Sequence, residues 1–583
     1  MKPSPISEMA SPRRVLTLLL TAFPLGSWGA AFRKPSAAAS CRNLPGDAAW
    51  PSQSQWAQLN STVGGRLIAT VQLASVCHTP NINSAACKQV EDAWHYADEH
   101  VRAPAEFLAP YFQNQSCDPF SRTNQPCVLG NYAQYSINVV GISDVQAGIK
   151  FAQDNNIRLT IKNTGHDLLG KSTGKGALSL WTHNLNSIEW LDQYSGDASY
   201  SGKAVRLGAG VMTQDVFTAA NQRNVRVVTG TCPTVGVAGG YTSGGGHGIF
   251  TSKYGMAADN VLEWEVVTAA GVHLVATPTS NADLYWALSG GGGGTFAVVL
   301  SMVTRVYSDG PIAGASLSFD VNSAGSVSKF WDGVATFQSS LSAVVDAGAV
   351  VSYSLTTTAL TLYGVALPDA NTSTLDSVMQ PLTTAMSNIG INLQVAKTQH
   401  TGFLDYYNYY FKTAVTTTPA AQITGGRLIP RSLMQDLTKA KAVGQTFRTA
   451  VEAGFVGICD AVNANQPHLH DNAVNPIWRS AVLHCIFIRM WDFTIPRSDM
   501  VAYQNTLSNT IMPQIEAATP GGGAYLNEAN FQQANWQSNF YGSSYTRLKQ
   551  IKDQVDQGGV FYAQTAVGSE EWMENFEQRL CPA

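Results

Sequence analysis

Charge is scarce in this 583-residue chain: Asp, Glu, Lys and Arg make up 13 % of it, against 45 % hydrophobic residues. Lys+Arg number 36 and Asp+Glu 40, a formal net charge of -4, so there is no basic field to concentrate nucleic acid or anionic lipid. Long hydrophobic runs are missing too. Val15 to Leu20 is short, Pro24 follows it, and no later stretch reaches the ~18 uninterrupted apolar residues that a membrane helix needs. The glycine cluster from Gly236 to Gly248 lacks the spacing and the Lys-Ser/Thr ending of a P-loop. No GxGxxG sits between a strand and a helix with an acidic residue ~20 positions on, which weighs against nucleoside triphosphates and nicotinamide cofactors. No internal repeat stands out, and no set of metal ligands is assigned. What remains is a chain able to bury a large core over at least two domains, with small-molecule chemistry as its business.

Arg13 and Arg14 precede the apolar run, and Gly26, Ser27, Gly29, Ala30 and Ala31 follow it, the layout of a cleavable secretory signal over residues 1–30. A secreted chain meets an oxidising compartment, and nine cysteines are available to form disulfides there. Cys77 with Cys87 and Cys117 with Cys127 are spaced for short local loops, although sequence leaves the connectivity open. The odd count leaves eight to pair if Cys232 is reserved for a ligand. Asn60, Asn114 and Asn371 each begin an Asn-x-Ser/Thr acceptor for glycosylation.

Residues 31–130 are Cys-rich and irregular apart from a helical pattern over Lys88 to Ala103, so they read as an extension wrapped on a larger body. Ser143 to Asn156 carries Val145, Ile149 and Ala152 at helical spacing. Arg158 to Lys162 alternates as a strand, Val205 to Val211 and Asn260 to Thr268 likewise, with a hairpin at Ala270-Gly271 and a helix over Thr213 to Arg223. Near Pro311 glycine density falls. Beyond it, strand patterns in Val350 to Tyr363 alternate with helical stretches at Leu375 to Asn388, interrupted by Pro381, and Ser432 to Val451. The mixture implies an α+β protein.

Two segments carry chemistry. Residues 163–172 read Asn-Thr-Gly-His-Asp-Leu-Leu-Gly-Lys-Ser; residues 230–248 read Gly-Thr-Cys-Pro-Thr-Val-Gly-Val-Ala-Gly-Gly-Tyr-Thr-Ser-Gly-Gly-Gly-His-Gly. Each sets one reactive side chain, His166 or Cys232, among glycines that let backbone amides approach a large anionic ligand, and both lie in strand-like sequence. Alone, His166 suits a hydrogen-bonded loop and Cys232 a buried or bridged thiol. Together they could reach opposite edges of one planar ligand.

On these residues the segment Tyr135 to Tyr307 resembles the FAD-binding domain of the vanillyl-alcohol oxidase and p-cresol methylhydroxylase (PCMH) superfamily, and within it the berberine bridge enzyme-like oxidases, closest to fungal secreted members. Ser252-Lys253-Tyr254-Gly255-Met256-Ala257-Ala258-Asp259-Asn260 and Leu284-Tyr285-Trp286-Ala287-Leu288-Ser289-Gly290 follow the same pattern. So do Trp536-Gln537, Phe540-Tyr541-Gly542 and Val560-Phe561 near the end, although Gln557 stands where the family often has proline. The resemblance implies a two-subdomain FAD-binding domain of the PCMH type at 131–310, a substrate domain with an antiparallel sheet and helices at 311–505, and a C-terminal segment at 506–583 that returns to cover the flavin. It implies FAD joined through the His166 ring nitrogen to the 8α-methyl and through the Cys232 sulfur to C6. Thr164, Gly165, Gly236 and Gly239 are expected to contact the cofactor, as are Gly240, Gly246, Asn260 and Asn527.

The base is where this chain departs from its relatives. Many read Tyr-Leu-Asn-Tyr where this one has Tyr525-Leu526-Asn527-Glu528. Strand alternation puts Tyr525 and Asn527 on one face and Leu526 and Glu528 on the other, unless a bend intervenes. Tyr525 and Glu528 are the candidate catalytic residues, with Glu528 as base and a solvated loop glutamate as the plainer alternative. His247 fits either the flavin surroundings or a backbone hydrogen bond at a strand start. Val235 occupies the position the family associates with oxygen access; Asn475 to Arg479 resembles a substrate-domain segment of fungal members, with a satisfied arginine at a sheet edge as the favoured reading, and Tyr406 to Phe411 reads as core or interface packing, with a pocket lining as the alternative. The implied activity is oxidation of an alcohol or a complex secondary metabolite, with O2 as acceptor and H2O2 as by-product. A carbohydrate oxidase, or a flavin-dependent cyclase with weak oxidase turnover, is the alternative.

Overall fold

The computed structural model describes residues 40–197, 199–417, 421–468 and 470–583. The signal expected over residues 1–30 lies outside them. Cys41 to Ala583 cluster as one unit containing three principal sheets. Among the described residues no helix is long and apolar enough to cross a membrane.

The first sheet has four strands in the spatial order Leu67–Ala69, Tyr135–Asn138, Leu178–Trp181 and Leu159–Lys162. The last two run parallel, so the loop between them, which carries His166, leaves and re-enters the same sheet. Helix Ile142–Asp154 covers it, burying Val145, Ile149 and Ala152 as their spacing predicts. The second sheet is antiparallel, in the order Ile188–Asp197, Tyr200–Gly208, Ala297–Arg305, Val261–Thr268 and His273–Ala276; Gly271 at φ +74° makes the expected hairpin.

The third sheet is seven-stranded and antiparallel: Ala396–His400, Ile312–Asp320, Ala359–Pro368, Val350–Leu355, Val456–Ala461, Ala481–Met490 and Gln422–Pro430. Helices Val327–Asp346, Thr372–Asn388 and Leu437–Glu452 lie on one face. Ser326, Asn371 and Asp436 cap their N-termini by accepting from backbone N–H groups one turn in. Phe330, Phe337 and Leu341 of the first helix are fully buried against this sheet's core, each contributing about 1.5–3 kcal/mol of hydrophobic stabilisation.

Several expectations change. Residues 40–130 do not merely wrap the body: Leu67–Ala69 pairs with Tyr135–Asn138 and extends the first sheet. The helix expected over Lys88 to Ala103 is two helices, Ser84–Ala93 and Ala97–Arg102, because the chain turns at Trp94 to bury its indole. Helix Thr372–Asn388 runs through Pro381 rather than stopping there. The Cys232 segment is less strand-like than expected, with only Val225–Arg226 before it and a π-helical turn, Val237–Tyr241, inside it.

The disulfides are Cys77–Cys87 and Cys117–Cys127, the two local loops anticipated, together with Cys41–Cys581 and Cys459–Cys485; Cys232 is free. The fourth positions the site. Cys459 and Cys485 are register partners on adjacent strands and point into the helix-covered core, so the next register pair, Asp460 and His484, faces the other side.

Candidate active site

A cavity of about 490 Å³ lies between the first two sheets and the open face of the third. His166 and Cys232 form one wall. Strand Leu159–Lys162 ends in a turn at Gly165 (φ +83°), where a Cβ would stand 2.8 Å from the Glu106 carbonyl oxygen. Asp167 then folds the loop on itself, accepting from the Leu169 and Ser172 amides at 3.0 and 2.7 Å. His166 Nε2 lies 2.7 Å from Thr234 Oγ1 and 4.0 Å from Cys232 Sγ. The two reactive atoms thus meet one edge of any planar ligand, not opposite edges. Burial works against a Cys232 thiolate, but the His166 charge, with hydrogen bonds from His166 and Thr234, outweighs it and sets the thiol pKa below its ordinary value.

The glycines shape the floor. Gly236 and Gly239 leave room for the Asn163 side chain: a Cβ at either would come within 2.6 Å of Asn163 Nδ2. Gly240 has nothing within 4 Å of such a position, so its backbone borders open cavity. Asn163 donates to the Ala209 carbonyl, while its Oδ1 is buried without a hydrogen-bond partner. An orphan acceptor beside bare glycine backbone fits a polar ligand that reaches the cavity floor, and FAD meets that description. Thr164, Gly165 and Val235 line the cavity as well. Two expected contacts do not. Asn260 is fully buried elsewhere, its amide donating to the Tyr254 and Met256 carbonyls and its oxygen accepting from Tyr307. Gly246 (φ +72°) is packed between Tyr241 and Ala257.

The opposite wall comes from the C-terminal segment. Gly523 bridges to Leu428 on the sheet's edge strand, and Gly426 on that strand has no Cβ to block the Glu528 carbonyl, which a methyl there would meet at 2.4 Å. Tyr525 to Glu528 is a turn closed by the Glu528 N–H on the Tyr525 carbonyl at 3.0 Å. The bend replaces the strand alternation expected from sequence, and Tyr525, Leu526, Asn527 and Glu528 all line the cavity. Asn527 Nδ2 donates to the Gly240 carbonyl at 2.9 Å and to the Tyr525 hydroxyl at 2.7 Å, joining the two walls. Burial, reinforced by the Glu528 charge, pushes the Tyr525 phenol well above its usual range, so it stays protonated.

Glu528 Oε2 stands 3.5 Å from both His247 Nε2 and His484 Nδ1, and His247 Nδ1 is 3.8 Å from Asp460 Oδ2. Burial opposes the Glu528 charge, but the charge and hydrogen bond of His247 outweigh it and lower the carboxyl pKa. Burial likewise opposes a charged His247, yet Glu528 and Asp460 raise its pKa. Burial pushes His484 down to about 3, leaving it neutral, and pushes Asp460 up. His247 therefore belongs to a charged cluster and not to a backbone hydrogen bond. Asp460, His484 and Asn163 had no signal as site residues. Arg479 is a satisfied arginine, paired through both terminal nitrogens with Asp259 at 2.6–2.7 Å. Tyr406 and Tyr407 are buried in a separate aromatic core with Phe217 and Phe250.

Residues 134–277 match the family described as FAD binding domain, and residues 524–568 the family described as berberine and berberine like. A VAO-type flavoprotein oxidase of Thermothelomyces thermophilus is 47 % identical over 552 residues, 93 % of this chain and 96 % of that protein. A bifunctional decalin synthase of Penicillium decumbens is 45 % identical over 556 residues, 94 % of this chain and 96 % of that protein. Among solved structures, a VAO-type flavoprotein from Myceliophthora thermophila superposes with a TM-score of 0.90 at 46 % identity, over 93 % of this chain and all of that one. A glucooligosaccharide oxidase from Acremonium strictum, described with a 6-S-cysteinyl, 8α-N1-histidyl FAD, shares the fold at a TM-score of 0.59 and 18 % identity, over 75 % of this chain and 92 % of its own.

Proposed function

The chain belongs to the VAO-type, berberine bridge enzyme-like FAD-linked oxidoreductases, and from that premise we propose that it is a secreted oxidase of a bulky apolar alcohol or natural product. When bound, FAD would supply a hydride acceptor that molecular oxygen can reoxidise, with hydrogen peroxide as the by-product. His166 and Cys232 hold the cofactor by two covalent bonds, to the 8α-methyl and to C6. The observation that carries this is the 4.0 Å between His166 Nε2 and Cys232 Sγ on one cavity edge, since both attachment points belong to one ring of the flavin. The lowered Cys232 pKa supports it, because the thiolate is the nucleophile. Thr164, Gly165, Gly236, Gly239 and Gly240 offer backbone to the cofactor, and Asn163 Oδ1 accepts from it.

Glu528 takes the substrate hydroxyl proton, with His247 behind it to share the charge. Tyr525 cannot do this as a neutral phenol. With Asn527 donating to its oxygen, its own proton is left for the substrate oxygen. Val235, Leu526 and Ile486 line the cavity and favour an apolar substrate over a sugar. We keep the division at 131–310, 311–505 and 506–583 for cofactor, substrate and returning segment. Four disulfides support the secreted assignment.

Acid denaturation of the purified protein tests the covalent reading: the yellow chromophore stays with the polypeptide and maps to peptides of both His166 and Cys232. Colour that washes away overturns it. The 45 % identity to a decalin synthase favours one second reading, ring formation on a substrate bound beside the flavin. Peroxide released in proportion to product supports the oxidase; cyclised product without peroxide supports the alternative. Peroxide with sugars but not with apolar alcohols would make it a carbohydrate oxidase.

A further inference from the structure

His247, His484 and Glu528 come from three different parts of the chain: the end of the glycine cluster, the middle of a strand and the C-terminal turn. They nonetheless present one ligand-type atom each, all within 4.8 Å of one another. We propose that these three side chains bind a divalent transition-metal ion of the Zn2+ class, with its fourth coordination position open to the cavity.

The spacing suits an ion better than hydrogen bonds. Glu528 Oε2 is 3.5 Å from His247 Nε2 and 3.5 Å from His484 Nδ1, beyond the roughly 2.7–3.2 Å of a good N–H···O bond. An ion with tetrahedral bonds of about 2.0–2.2 Å sets its ligand atoms roughly 3.3–3.6 Å apart. His484 is almost completely buried and turns its Nδ1 toward Glu528. Two imidazoles and one carboxylate form a donor set for Zn2+ and its neighbours, not for Mg2+ or Ca2+.

The cluster is held rigid. Trp478 and Tyr525 flank both imidazoles, with ring centroids 5.2–5.5 Å away. Asp460 lies on the outer side of His247, 3.8 Å from Nδ1 and so at ion-pair and not hydrogen-bond distance, and accepts from the Ser352 hydroxyl; a carboxylate on that side raises the basicity of a ligand ring. The Cys459–Cys485 bridge locks the register that sets Asp460 opposite His484. Of the three ligands Glu528 lines the cavity, so the fourth position opens on its side to an outside oxygen, the pattern of open sites and not of closed structural ones.

The consequence for turnover rests on the assignment of Glu528 as base. Coordination through Oε2 draws electron density from the carboxylate that would receive the substrate proton, so the bound ion lowers its basicity and slows oxidation reversibly.

The test uses flavin-loaded protein treated with a chelator, dialysed free of it, and equilibrated with Zn2+. Wild type takes up about one equivalent per chain. His484→Ala and Glu528→Gln lose it, Asp460→Asn binds about 10–100-fold more weakly, and His273→Ala, which alters an exposed His–Glu pair outside the cavity, binds as wild type does. Zn2+ slows alcohol-driven flavin reduction and the chelator restores it. No stoichiometric uptake by wild type, or undiminished uptake by the double variant His247→Gln/His484→Gln, overturns the site. If wild type takes up no Zn2+ but Glu528→Gln still cripples flavin reduction, the base assignment survives and the metal site falls. If wild type takes up Zn2+ but flavin reduction stays intact in Glu528→Gln, the metal site survives and the base assignment falls.

Discussion

Replacing Glu528 by Gln removes the cavity carboxylate while keeping its shape. The turn that carries it is closed by backbone, the Glu528 N–H on the Tyr525 carbonyl, so the substitution leaves the wall in place. A positioned general base accounts for roughly 10²–10⁴ of a rate. The surroundings point to the lower half of that range. His247 lowers the basicity of the carboxylate, the side chain is 32 % exposed so that water can reach it, and His247 itself stands 3.5 Å away as a substitute acceptor. The expected loss is therefore about 10²–10³ in the limiting rate of flavin reduction, a barrier increase of about 3–4 kcal/mol. The assay is anaerobic stopped-flow bleaching of the flavin across a panel of apolar primary and secondary alcohols, with chelator present to keep the cluster free of metal. Saturation behaviour separates weaker binding from slower chemistry. A limiting rate within about threefold of wild type, with flavin content unchanged, refutes the base assignment, since no positioned base is worth so little.

Removing the Cys459–Cys485 bridge with a pair of alanines should cost about 3.5 kcal/mol, the chain-entropy value for a closed loop of its 26-residue span, read as a lower guanidinium midpoint. An unchanged midpoint means that strand pairing alone holds Asp460 opposite His484. Gly236→Ala would push a methyl to within 2.6 Å of Asn163 Nδ2, a clash worth about 1–3 kcal/mol. Purified Gly236→Ala should carry less flavin per chain by absorbance, and full loading shows that Asn163 can move aside. In protein made under flavin starvation, Cys232 should react with iodoacetamide at a pH below that of an ordinary thiol, because its lowered pKa keeps the thiolate populated as pH falls. His166→Ala removes the charge that opposes burial and should move the profile to higher pH; an unmoved profile shows that His166 does not set it.

The wall formed by His166 and Cys232 was legible in the sequence because it is local. His166 sits four residues beyond its strand and Cys232 four before the glycine cluster, so each loop shows a reactive side chain and its glycines within a dozen positions. The cluster around Glu528 was not, because strand pairing assembles it. Asp460 and His484 lie in a region of weak resemblance, and neither has a local pattern. One signal was available in principle. Cys459-Asp460 and His484-Cys485 are adjacent pairs, and a cross-strand bridge between the cysteines sets the other two residues opposite each other on the far face. Open disulfide connectivity hid it. The Cys41–Cys581 bridge, spanning 540 residues, was beyond any local reading. The strand expected at Tyr525 failed for a related reason: its register is decided by a sheet edge about a hundred residues earlier, where Gly426 lets the turn approach.

These two walls meet at a single side chain. Asn527 belongs to the C-terminal turn, yet its amide donates to the Gly240 carbonyl of the glycine floor and to the Tyr525 hydroxyl of its own segment. Gly244 has to be bare for this, since a Cβ there would stand 2.4 Å from the same amide nitrogen. The spacing between the glycine floor and Glu528 is thus fixed by the hydrogen bond to the Gly240 backbone carbonyl. On the proposed base assignment, the glutamate that stands where the family often has tyrosine would take the proton from a position held by this hydrogen bond. A glutamate there needs a charged neighbour that a tyrosine does not, and His247 provides it.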